Sequence, residues 1–207
     1  MTDFAKALSG LINYTPFTDK TTFEALGHFI ATFASAESAV HLVARKISGL
    51  SDEKARIMYG GMRLKDVTDR VRQFINVDDA DQSLRIEIDQ CLTQLGHIAA
   101  KRHNLVHRGG SYFQGKLIST NSLTARSLNA IEVEHFDEDQ LNDMAADCRS
   151  IFLRLVSIAD PKGSDPKLIA GLKARPWLYK HDPPKAPRQQ HRKDRGSRKR
   201  PPASSEE

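Results

Sequence analysis

Apolar and small residues recur at three- and four-residue steps over about residues 21–48, through Phe23, Leu26, Ile30, Phe33, Val40, Ala44 and Ile47. A stripe of that period and length forms one face of a long helix, begun at Thr21 or Thr22, and the rest of the chain must cover it. Gly49 marks its end. Ser51 then caps an acidic first turn, Asp52-Glu53, which predicts a short helix to Tyr59 before Gly60-Gly61 breaks it. Leu64, Val67, Val71 and Phe74 or Ile75 mark a third helix over about 63–75. A fourth, capped by Asp79 or Asp81 and ended by Gly109-Gly110, turns inward Leu84, Ile88, Cys91 or Leu92, Leu95, Ile98 or Ala99, Arg102, and Leu105 or Val106. Tyr112-Phe113, Leu117-Ile118 and Ile131-Glu132-Val133 read as extended, an irregular β-hairpin or ordered loop over about 111–136. The last helix, about 137–159, buries Leu141, Met144 or Ala145, Cys148, Ile151 or Phe152, and Leu155, and Pro161 closes it. The expected fold is all-α: an antiparallel bundle of four to five helices over 21–161 with a small extended insert.

Two flanking segments differ from this domain. Residues 1–20 read as a lead-in, with a turn of helix near Phe4 to Leu11 before Pro16 interrupts. Lys162 begins a stretch in which 7 Lys and 6 Arg stand against 5 acidic residues, although the whole chain of 207 residues is only +5, so the rest is net acidic. Residues 162–207 are therefore expected to be a basic, Pro-rich, disordered tail that attracts nucleic acid by counterion release. Within it, Arg192, Lys193, Arg195, Arg198, Lys199 and Arg200 are the candidate phosphate contacts, and Trp177-Leu178-Tyr179 either stacks on bases or packs back on the bundle.

Several classes are disfavoured. Cys91 and Cys148 have no CxxC or CxxxH spacing, which argues against a disulfide framework or a zinc site and makes both small core residues. The most apolar stretch, 29–43, is interrupted by Thr32, Ser35, Glu37, Ser38 and His41, too polar to span a bilayer. No basic segment followed by an apolar run opens the sequence, so a cytoplasmic location is expected.

Two charged residues fall where the helical period asks for apolar ones: Glu37 between Phe33 and Val40, and Arg102 between Ile98 and Leu105. An unpaired ion in a bundle core costs several kcal/mol, so each requires a partner, a wet cleft or a neighbouring subunit. They are candidate partners of one another, as a register-setting pair. After Arg102 come His103, Asn104, Leu105, Val106 and His107, then Arg108-Gly109-Gly110. An Arg with a His five places on carries no information alone; its position at the end of a strongly amphipathic helix, with a polar residue directly after the Arg, does.

This KRHNLVHRGG segment resembles the signature of the HEPN superfamily, an Arg, a polar residue that is usually Asn, Asp or His, and a His after four to six intervening positions. Arg102, His103 and His107 match it, with Asn104 one place later than the common Asn. The likeness extends over about residues 21–159, including an extended insert after the motif and the acidic entry Phe136-Asp137-Glu138-Asp139 into the last helix. The resemblance implies a metal-independent endoribonuclease without cofactor, acting on RNA as a homodimer whose two motifs meet, in a toxin–antitoxin or phage-defence setting. Arg102 and His107 would be catalytic; His103, Asn104 and Glu37 would support them, and Arg108 would join the nucleic-acid contacts. It equally accommodates a non-catalytic module that binds RNA or nucleotide, or neutralises a partner such as a small nucleotidyltransferase. A third reading is a purely structural helical dimer. His103 and His107 have the i, i+4 spacing of a two-His metal site, but neither HExxH nor a third ligand accompanies them, so no metal is expected. Alternatively His107 only closes the helix, favoured there by the dipole.

Overall fold

The computed structural model describes residues 20–77, 81–108, 110–113 and 116–181. The lead-in turn near Phe4, the alternative cap Asp79, Gly109 and the arginines and lysines from Arg192 to Arg200 lie outside the described residues. Six helices are described: α1 (Lys20–Ile47), α2 (Asp52–Tyr59), α3 (Leu64–Val77), α4 (Gln82–His107), α5 (Glu138–Ala159) and α6 (Pro166–Ala174). Strands β1 (Gly110–Phe113), β2 (Lys116–Thr120) and β3 (Val133–Phe136) stand between α4 and α5.

Helix α1 packs most extensively on α5, and α3 and α4 complete the cover of its apolar face. That face is one residue out of phase with the expected stripe. Ala25, Phe29, Phe33, Ala36, Ala39, Val40, Val43 and Ala44 are buried, whereas Phe23 is exposed and Leu26, Ile30 and Ile47 are only partly covered. The expected inward lines of α3, α4 and α5 are occupied, with Val67, Val71 and Ile75, then Ile88, Leu92, Leu95 and Ile98, then Leu141, Met144, Ile151 and Leu155 all buried. Cys91 and Cys148 are buried and free among them; burial pushes both thiols up to about 12, which leaves them as inert core residues.

Gly49 and Gly61 take left-handed φ values of 63° and 74°, which turns the chain after α1 and α2. Ser51 stands at the N-cap of α2 but its hydroxyl makes no capping bond; its backbone carbonyl accepts from Ala55 instead. Asp81 likewise makes no side-chain cap, its carboxylate accepting from the Ser83 hydroxyl. Asp137 does cap α5, accepting from the Gln140 N–H at 2.9 Å.

The insert is better ordered than a hairpin. Its strands form a three-stranded antiparallel sheet in the order β1-β2-β3, with Gly110 opposite Ser119 and Leu117 opposite Phe136. Leu117 and Phe136 turn into the core, which fixes the sheet against the helices.

The first twenty residues of the expected tail, 162–181, are folded instead. Residues 162–181 form a 3₁₀ turn (Pro161–Gly163), helix α6 and an extended strap that docks on α4 and α5. Asp165 caps α6 and Pro166 opens it, both local helix signals submerged in a basic, Pro-rich composition.

Candidate functional site

The last two turns of α4 present three different faces. On the first, Arg102 is half-buried, its guanidinium carbon 5.7 Å from the centre of the Phe33 ring of α1. Phe33 in turn meets Phe29 edge-on at 6.3 Å. The Arg102 Nε is buried and lacks a hydrogen-bond partner among the described residues. Glu37 is not that partner: no ion pair or hydrogen bond joins the two among the described residues. The reason is the phase of α1. Its buried face centres on Ala36, Ala39 and Val40, so Glu37 sits half-buried on the rim beside His41 rather than in the core. Burial lowers the pKa of His41, Glu37 acts to raise it, and Arg45 lowers it further.

On the second face His103 and His107 are exposed, their ring centres 4.6 Å apart and the planes tilted by 44°. Five residues at about 100° each place Arg102 and His107 roughly 140° apart around the helix, so a single chain does not aim both at one point. The third face is held by the sheet. Asn104 Nδ2 donates to Glu134 at 3.0 Å, Lys101 pairs with the same carboxylate at 3.3 Å, and Ser119 Oγ donates to the Asn104 carbonyl at 2.8 Å. Arg108 pairs with Glu132 at 2.9 Å. Asn104 is therefore an anchor for the insert, and Arg108, expected to meet nucleic acid, already has a carboxylate.

A second polar cluster escaped the sequence reading. Arg154 of α5 makes a two-point ion pair with Glu87 of α4, at 2.6 and 3.0 Å, and its guanidinium lies 4.7 Å from the Trp177 ring centre. Lys173 of α6 reaches the same Glu87 at 3.7 Å. Two turns away, Asp147 accepts from the backbone N–H groups of Leu178 and Tyr179 and from Gln94, which also donates to the Tyr179 carbonyl. Burial raises the pKa of Asp147, and these donated bonds oppose the rise. The signal was present: Glu87 and Gln94 fall in the apolar row of α4 with Cys91 and Ile98, and Asp147 and Arg154 in that of α5 with Met144 and Ile151.

Among the described residues no three His, Cys, Asp or Glu side chains are grouped as a metal site. No described helix is long and apolar enough to cross a membrane. A shallow hollow between α3 and α4, lined by Arg72, Asn76, Arg85 and Asp89, does not include the motif. No protein-family model, curated protein or solved structure matches the chain.

Proposed function

We propose that the chain is a metal-independent endoribonuclease of HEPN type. The observation that carries this reading is the end of α4: two exposed imidazoles one turn apart on the same helix end as a guanidinium whose buried Nε has no hydrogen-bond partner among the described residues. In the mechanism, the RNA 2′-hydroxyl attacks the adjacent phosphorus and the bond to the 5′-oxygen breaks, leaving a 2′,3′-cyclic phosphate and a 5′-hydroxyl. Imidazoles exchange protons near neutral pH, and His107 serves in the transfers to and from those two oxygens. Arg102 stabilises the charge that develops on the phosphate, and His103 orients it. The angular separation of Arg102 and His107 supports a reading in which the complete site is formed in a homodimer whose two α4 ends meet. The helical core is then an antiparallel bundle, the compartment the cytoplasm, and the setting toxin–antitoxin or phage defence.

A second reading is favoured by the sheet: Glu132 and Glu134 occupy Arg108, Lys101 and Asn104, which leaves fewer groups for a substrate. It is a non-catalytic module that binds RNA, nucleotide or a protein partner such as a small nucleotidyltransferase. One experiment separates the two. Purified protein is incubated with mixed single-stranded RNA in EDTA beside Arg102→Ala and His107→Ala variants whose helicity matches the parent. Cleavage lost in both variants supports the nuclease; RNA retained without cleavage by the parent protein supports the binding module.

A further inference from the structure

Residues 177–181 cross α4 and α5 as a strap whose backbone is gripped at one end and whose side chain is stacked at the other. The grip is Asp147, 3% exposed, with Gln94 beside it. Trp177 lies under Arg154, and Tyr179 is buried. Beyond the grip, His181 of the strap lies flat on His97 of α4, ring centres 3.7 Å apart and planes within 8°. Two imidazoles stack in this way at little cost when neutral, but a proton on one opposes a proton on the other at that distance.

We propose that the strap is a proton-released latch: it stays docked on α4 and α5 while the His97 ring stacked on His181 is neutral, and lifts when mild acidification places a proton on that stack. The charged and titratable groups near the strap include His97 and, one turn on, Lys101 from α4, Asp143, Asp147 and Arg154 from α5, Glu87 of α4 and Lys173 of α6 beside Arg154, Lys180 and His181 of the strap, and Glu134 of β3, which pairs with Lys101. Lys180 turns back to donate to the Trp177 carbonyl. None of the carboxylates makes an ion pair with either stacked ring among the described residues.

The sign follows from the direction at His97. Its pKa is lowered from 6.5 by burial first and by His181 second. The docked state therefore prefers the neutral ring, and docking weakens as pH falls through 6.5 toward the lower docked value, because the undocked state takes up the proton first. Asp147 acts oppositely, since its pKa is raised when docked, but it starts from an ordinary value of 3.8 and its window begins lower. The release begins with the imidazoles. It is independent of the nuclease reading, and its consequence is mechanical: docking holds His181 at His97, ten residues or roughly 15 Å along α4 from His107.

Trp177 is the only tryptophan in the chain, so its accessibility reports docking directly. Acrylamide quenching of the full-length protein is measured from about pH 7.5 to about pH 5.5, with helical circular dichroism recorded on the same samples. Quenching is expected to rise roughly twofold through the imidazole range while helicity holds. His181→Gln, at an exposed position that spares the core, and His97→Gln are each expected to make quenching independent of pH over that range. A parent protein whose quenching does not rise, a His181→Gln protein with the parent's rise, or a rise matched by loss of helicity would each overturn the latch.

Discussion

Arg154 and Glu87 hold their charges almost without water, with side-chain exposures of 3% and 9%. Their mutual attraction offsets two desolvation costs, and removing one partner leaves the other's cost uncompensated. Glu87→Ala is therefore expected to lower the free energy of unfolding by about 3–5 kcal/mol in urea titrations. The double variant Glu87→Leu with Arg154→Met, which removes both charges and keeps the volume, is expected to lose less than either single change. Arg102 belongs to a different class. It lies at the rim over Phe33 with no ion pair among the described residues, so Arg102→Ala removes one cation–π contact worth about 0.5–1 kcal/mol. Thermal unfolding of that variant within a few degrees of the parent makes its loss of RNA cleavage a statement about chemistry. A collapse of stability would instead assign Arg102 a structural role. The sequence singled out Arg102 and Glu37 as polar interruptions of apolar rows, yet the interruptions that are buried are Glu87, Gln94, Asp147 and Arg154.

Helix α1 shows why. Its buried face is built on Ala25, Ala36, Ala39 and Ala44 as much as on Phe29, Phe33, Val40 and Val43. Small residues allow α5 to approach closely, but they carry little weight in a search for large apolar side chains, which instead follows the partly covered Leu26, Ile30 and Ile47. The phase error moved Glu37 into the core. Elements with large inward residues, such as α3 with Val67, Val71 and Ile75, were legible without such an error. The three-stranded sheet was legible only as extended segments, because its position depends on contacts distant in sequence. Glu134 makes two of them, accepting from Asn104 and Lys101, each pair only partly exposed. Glu134→Ala is expected to reduce the opening free energy of β2 and β3 by about 1–2 kcal/mol, speeding their amide exchange roughly tenfold while the first turns of α4 exchange as before. Unchanged exchange in the sheet would mean that Leu117 and Phe136 alone hold it.

At the scale of the molecule, residues 162–181 belong to the folded part of the chain and not to a tail that begins at Lys162. Composition does not reveal that this segment is docked; its specific partners, such as Asp147 for the Leu178 and Tyr179 amides, do. Ending the chain at residue 161 would uncover Asp147, Gln94 and the Glu87–Arg154 pair together with the surface that receives Trp177 and Tyr179. Burial of two aromatic side chains and several hydrogen bonds predicts a loss of about 3 kcal/mol or more. Ending it at residue 181 would remove 3 Lys and 5 Arg against 4 acidic residues while leaving the docked strap in place. The second truncation is thus expected to keep the parent's urea midpoint while reducing the dependence of RNA affinity on salt, by about 0.7 in logarithmic slope for each single-strand phosphate that the tail no longer neutralises. Comparing the two truncations separates the roles of adjacent segments that share one composition. A salt slope equal to the parent's after removal of 182–207 would rule out the electrostatic arm, and a urea midpoint equal to the parent's after removal of 162–207 would rule out the strap as part of the fold.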